Sequence, residues 1–211
     1  MITSWKELPI GMFMDLSKIM RSQISDDEKV FKTAALLKGM EYDEFLNLPI
    51  ADARQAVADA SFLYEEPKAA KTKKTYHLGT RDYKLMRNMD GMTTAQYLNY
   101  QGIAGIPPEE GIDELMAIIL VPEGKVYGDY DTEEIKEEIR NNLGVEDAYG
   151  IANFFTASFE KSMRRIVRYS EAALTAKKWM LRGKDKEKLQ AEKIALQTMI
   201  NELHSMSGFH L

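Results

Sequence analysis

The sequence predicts a mainly α fold with one small β-hairpin: a helical array followed by a long C-terminal αα-hairpin. Apolar side chains recur at steps of three and four through most of the 211 residues, the period that buries one face of a helix. Serine and acidic starts alternate with glycine stops, so helices are bounded by local signals. Two short β-prone runs flank Gly79, and together they read as the one hairpin.

Taken in order, Pro9 suits a first helical turn, where its missing N–H is no loss. Met12, Phe13, Leu16, Ile19 and Met20 then give the stripe of a helix over residues 9–22. Ser25 and Glu28 form a capping box, in which the hydroxyl accepts from the backbone three residues on and the glutamate reaches back. Val30, Phe31, Ala34, Ala35 and Leu37 supply the buried face, and Gly39 a left-handed stop. A helical turn at Asp43 to Leu46 leads through Leu48-Pro49 into a helix bearing Ala53, Ala56, Val57, Ala60 and Leu63. Residues 1–64 therefore read as an N-terminal helical array. Residues 65–74, EEPKAAKTKK, combine a proline with lysines and no large apolar side chain, which predicts a basic linker or exposed arm.

Residues 75–144 are predicted to hold the hairpin and short helices. Thr75 to Leu78 and Asp82 to Met86 form the two strands, and a lone hairpin needs helices or a neighbouring sheet edge to lean on. Thr93 or Thr94 caps a helix with Tyr97, Leu98 and Tyr100; a buried helix runs from about Ile112 to Val121, ended by Pro122 and Gly124. Asp131 and Glu134 open another, with Ile135, Ile139 and Leu143, halted by Gly144. Residues 145–211 form the long helical hairpin. Its first helix carries Ala148, Ile151, Ala152, Phe155, Phe159, Met163, Ile166 and Leu174 on one stripe, Arg182 to Asp185 turn the chain, and Leu189, Leu196, Ile200 and Leu203 line the return. At about 1.5 Å per residue the first helix reaches on the order of 50 Å, so part of it projects.

The absence of cysteine removes disulfides, thiolate nucleophiles and cysteine-ligated zinc. The longest apolar run, Leu115 to Val121, falls well short of the roughly 20 residues of a membrane span, and no basic stretch after Met1 leads into a signal-like apolar run. Charge is uneven along the chain. Residues 106–148 hold 13 acidic and 3 basic side chains, whereas 161–193 hold 11 basic and 4 acidic. Such asymmetry is either neutralised by local ion pairs or lets one copy meet the next head to tail and close a ring.

No reactive constellation emerges. His77, His204 and His210 lack a second ligand at metal spacing, and Gly183-Lys184 lacks the upstream glycine and following hydroxyl of a phosphate loop. The carboxylates from Asp129 to Glu138 lack the alternating ligand order of a calcium loop and fit a helix N-terminus. Catalytic, cofactor and metal residues are accordingly expected to be none. The candidate residues are for protein interaction: Lys71, Lys73, Lys74, Tyr76 and Tyr83 on the arm and hairpin, and Arg164, Arg165 and Arg168 on the long helix. Lysines interleaved with tyrosines also suit a nucleic-acid surface, but a solvated arm beside a hairpin is the simpler expectation.

Trp5-Lys6-Glu7-Leu8-Pro9, Leu46-Asn47-Leu48-Pro49, the tyrosine-rich hairpin, Val121-Pro122-Glu123-Gly124-Lys125 and Phe154-Phe155 together resemble small proteins of tailed bacteriophages of gut bacteria, including the crAss-like group. The resemblance runs from the first residues to about position 170. It implies a non-enzymatic virion structural protein, a subunit of a head–tail connector or tail ring, assembled in the host cytoplasm. Its partners would be its own copies and portal or tail proteins, with neither nucleic acid nor membrane. The same resemblance also admits a tail-assembly chaperone, which binds the tape-measure or tail-tube protein and is absent from the virion. An exposed apolar groove would mark the chaperone.

Overall fold

A computed structural model describes residues 1–103, 106–180 and 194 of the chain. They are mainly helical, with a three-stranded antiparallel sheet ordered β1-β2-β3. Two compact units divide the chain: Met1–Leu85 with Ile106–Asn153, and Met86–Gly105 with Phe154–Leu211.

The first unit opens with α1 (Ile10–Arg21) and α2 (Asp26–Lys38). At α2 the Ser25 hydroxyl accepts from Glu28 N at 3.2 Å, and Gly39 closes the helix at φ +70°, the left-handed cap that glycine adopts without a Cβ penalty. The side chain of Glu28 pairs forward with Lys32 at 2.9 Å, so half of the expected capping box is used. Next come α3 (Tyr42–Leu46), α4 (Ile50–Asp59) and a 3-10 turn over Ala60–Tyr64. Phe45 packs among Ala34, Ala35, Ala53 and Ala56, with Phe31, Tyr42, Leu48 and Val57 around them.

Pro9 lies outside α1, and its neighbours pair with the junction that follows α7 (Thr132–Asn142). Ile10 N donates to Leu143 O and Val145 N to Leu8 O, both at 2.9 Å. α7 ends at Asn142, just before Gly144 as expected, but Gly144 does not take a left-handed φ. It is a point of close approach, where a Cβ would stand 2.7 Å from Lys6 O. The Asp131 side chain caps α7 through Glu133 N at 2.9 Å, as an acidic helix start requires.

Strands β1 (Thr75–Leu78) and β2 (Arg81–Leu85) form the hairpin, with Leu78 opposite Arg81. Gly79, at φ +56°, takes the first central position of a two-residue turn, the place glycine holds in a type II′ hairpin. The sheet has a third strand that the sequence reading missed. The buried helix begins earlier and ends earlier than expected, as α6 (Pro108–Ile119), and Leu120–Pro122 become β3. Leu120 sits opposite Leu85 and Pro122 opposite Tyr83. A continuous apolar run fits helix and strand alike, and pairing with β2 decides between them. The hairpin also leans on α7 of its own chain.

The basic stretch at 65–74 is exposed but tied down. Trp5 Nε1 donates to Glu65 O at 2.8 Å, and Ala70 N donates to Glu146 O at 2.9 Å. Lys73 pairs with Asp147 at 3.4 Å. It forms a strap across the start of α8, a helix spanning Val145–Met180.

The second unit contains α5 (Thr94–Ile103) and the continuation of α8. Thr93, not Thr94, caps α5 in a reciprocal box: Gln96 N donates to Thr93 Oγ1 at 3.2 Å and Thr93 N to Gln96 Oε1 at 3.0 Å. Tyr100 packs edge-on to Phe155 at 5.4 Å and lies 5.0 Å from Phe159. With 36 residues, α8 is about 54 Å long. The turn at Arg182 to Asp185 and the return helix through Leu189, Leu196, Ile200 and Leu203 lie outside the described residues, as do the side chains of Met163, Ile166 and Leu174.

Candidate functional site

The structure separates the expected interaction residues. Lys71, Lys73 and Lys74 are exposed on the strap, and Arg165 is exposed on α8; the side chains of Arg164 and Arg168 lie outside the described residues. Tyr76 and Tyr83 are corrected: at 3% and 0% exposure they belong to the core and present no surface to a partner. Strand alternation places Tyr76 with Leu78 and Tyr83 with Leu85 on one buried face. Tyr76 accepts from Lys73 N at 3.0 Å through its hydroxyl. The Tyr83 hydroxyl donates to Glu138 Oε2, and burial together with that carboxylate pushes its pKa up.

Glu138 is the node that fastens the hairpin to α7. Its carboxylate takes Thr80 N at 3.1 Å and Arg81 at 3.5 Å besides the Tyr83 hydroxyl. Desolvation pushes this carboxyl up, but the bonds from Tyr83 and Thr80 and the Arg81 charge outweigh it and leave its pKa lowered. Other acidic residues of the 106–148 segment are also paired within the chain. Arg21 reaches Glu109 and Glu110, Arg81 reaches Glu134, Lys136 bridges Glu114 and Glu133, and Arg140 lies by Asp113. With Lys73 on Asp147, five cations thus engage eight of the segment's 13 carboxylates, and a net negative charge remains on it. A recess of about 660 Å³ between α1 and α7, lined by Asp15, Asp131 and Glu137 among others, is the polar side of this arrangement. Among the described residues, no group of three His, Cys, Asp or Glu side chains is placed to hold a metal ion, and no helix is long and apolar enough to cross a membrane.

What the sequence did not reveal is an apolar groove of about 570 Å³, a volume within the about 300–1,000 Å³ typical of binding clefts. Helix α2 forms its floor through Val30 and Thr33; α1 supplies Phe13, Leu16 and Met20; the segment from Val57 to Tyr64 supplies the far wall. Trp5 joins the lining, edge-on to Phe13 at 6.2 Å and to Phe62 at 5.5 Å. Met20 is 61% and Tyr64 89% exposed, so apolar surface at the rim faces water. Charges of both signs also line the groove: Lys29 with Asp26 at 3.8 Å, the latter fully exposed, and Arg21 paired with Glu109.

Under the floor, Thr33 Oγ1 is sealed from solvent and has no hydrogen-bond partner. A buried hydroxyl without a partner costs about 1–3 kcal/mol. Thr33→Val is therefore expected to raise the unfolding free energy by about 1 kcal/mol, measured as an upward shift of the urea midpoint at unchanged slope.

No family model, curated protein or solved structure matches the chain. The groove and the ion-pair layout therefore carry the functional reading by themselves.

Proposed function

We propose that this chain is a non-enzymatic assembly protein that holds an apolar helix of another protein in the groove between α1, α2 and the Val57–Tyr64 segment. Within the phage resemblance this is the role of a tail-assembly chaperone acting on a tape-measure or tail-tube protein. The observation that carries it is the groove itself, an apolar cleft with exposed rim residues. An amphipathic helix would lay leucine-like anchors at i, i+3, i+4 and i+7 into such a cleft, and an acidic residue beside that stripe would meet Lys29.

The ring subunit is the second reading. Exposed Lys71, Lys74 and Lys161 favour it, as does the reach of α8. Its head-to-tail charge argument loses the carboxylates that pair with Arg21, Arg81, Lys136 and Arg140 of the same chain, and keeps the acidic excess that remains. Mass spectrometry of purified virions separates the two: stoichiometric presence favours the ring, and absence despite expression favours the chaperone.

The groove is tested with a synthetic amphipathic peptide carrying leucines at those four positions and flanking glutamates. Calorimetric titration should show saturable one-to-one binding. Met20→Glu, on the exposed rim, should weaken it at least about tenfold with an unchanged circular dichroism spectrum. Equal affinity in the variant would remove the groove as the docking site.

A further inference from the structure

Resting on that reading of the groove, we infer that the strap at residues 65–74 regulates it: seating of the strap against Gly150 and capture of a helix in the groove are coupled through Trp5. Trp5 serves both places at once. Its ring lines the groove, while its indole N–H donates to Glu65 O, where the strap leaves the groove-lining Tyr64.

Five residues on, the strap meets α8 by its backbone. Ala70 N donates to Glu146 O, and Ala70 O lies so near Gly150 that a Cβ there would stand 2.0 Å from it. A glycine inside a helix weakens the helix, and here it opens the seat that the strap occupies. Next to the seat, Tyr149 returns to the groove wall through an edge-on contact with Phe13 at 6.2 Å. The groove wall, the strap and the seat thus form one connected set.

Between its ends at Glu65 and Lys73, the strap is fastened to α8 by the Ala70–Glu146 hydrogen bond and the exposed Lys73–Asp147 pair, and exposed surface segments open locally at lower free energy than the core. When it lifts, Trp5 loses its acceptor and the Leu63–Tyr64 wall loses its tether. A helix that needs this wall binds the seated form better, and by reciprocity its binding holds the strap down by the same factor.

The probe is the leucine-bearing peptide described above, made without lysine or arginine so that trypsin spares it. Saturating peptide should slow tryptic cleavage at Lys68, Lys71, Lys73 and Lys74 by about fivefold or more. Gly150→Ala should speed cleavage there and weaken peptide affinity by about fivefold or more. Ala70→Pro, which removes the donated N–H from the strap side, should do the same. It lies on a surface segment, so it keeps the test open if the helix variant fails to fold. Peptide binding to the unaltered protein with unchanged cleavage, and equal affinity in Ala70→Pro, would overturn the coupling and leave the groove reading standing. No peptide binding to the unaltered protein would remove both.

Discussion

Phe45→Ala should lower the unfolding free energy by about 3–5 kcal/mol, read from the guanidinium midpoint at constant slope. Phe45 is 2% exposed, and its neighbours in the core are mostly alanines: Ala34, Ala35, Ala53 and Ala56. Small side chains on short helices let those helices approach closely around one large ring, and the four alanines are too short to fill the space the ring leaves. Phe31, at 6.3 Å and tilted, is the nearest aromatic group that could lean in. A residual void adds to the lost transfer free energy, which puts the change at the upper end for a phenylalanine. Because α2 is also the floor of the groove, the same variant should lose peptide affinity even below its melting temperature.

Glu138→Ala should cost about 3 kcal/mol and should lessen the loss of stability at acid pH. Removing the carboxylate leaves the Tyr83 hydroxyl without its acceptor, frees Thr80 N, and withdraws the anion beside Arg81. Tyr83→Phe removes donor and need together and should cost about 1 kcal/mol, so a double-mutant cycle isolates the pair. The sign with pH follows from a lowered folded-state pKa. The contribution of Glu138 is complete above the unfolded value, near 4.5, and is lost as pH falls through the lower folded value. Urea unfolding at pH 7 and pH 3 should therefore show a larger loss for the unaltered protein than for Glu138→Ala.

Local signals were the legible part of the sequence. Ser25, Gly39, Asp131 and the Gly79 turn each act within a few residues, and each appears where its chemistry requires. The expected hairpin positions of Tyr76 and Tyr83 were correct, but their burial was missed because flanking lysines suggested a surface. Period-two alternation with Leu78 and Leu85 was the signal that could have shown it. β3 was missed because Leu115 to Val121 is apolar throughout, and strand pairing with β2 is a long-range event that periodicity cannot report. The groove is less legible still: its lining comes from Trp5, α1, α2 and the Val57–Tyr64 segment, each of which reads as an ordinary buried face. The exposed course of the strap was legible in EEPKAAKTKK, but it is held largely by main-chain atoms, and the trace of its seat is a glycine inside a helix at position 150.

The pairing of Leu8 and Ile10 with Leu143 and Val145 has a temporal meaning for a ribosome. These partners lie 133 and 137 positions apart, so at roughly 5–20 residues per second the nascent N-terminal segment waits on the order of 10 s for its mate. During that interval Leu8 and Ile10, which end with 0% exposure, are open to any cellular factor that grips unfinished chains. The first helices can form early, but closure of the unit comes only after translation has passed α7.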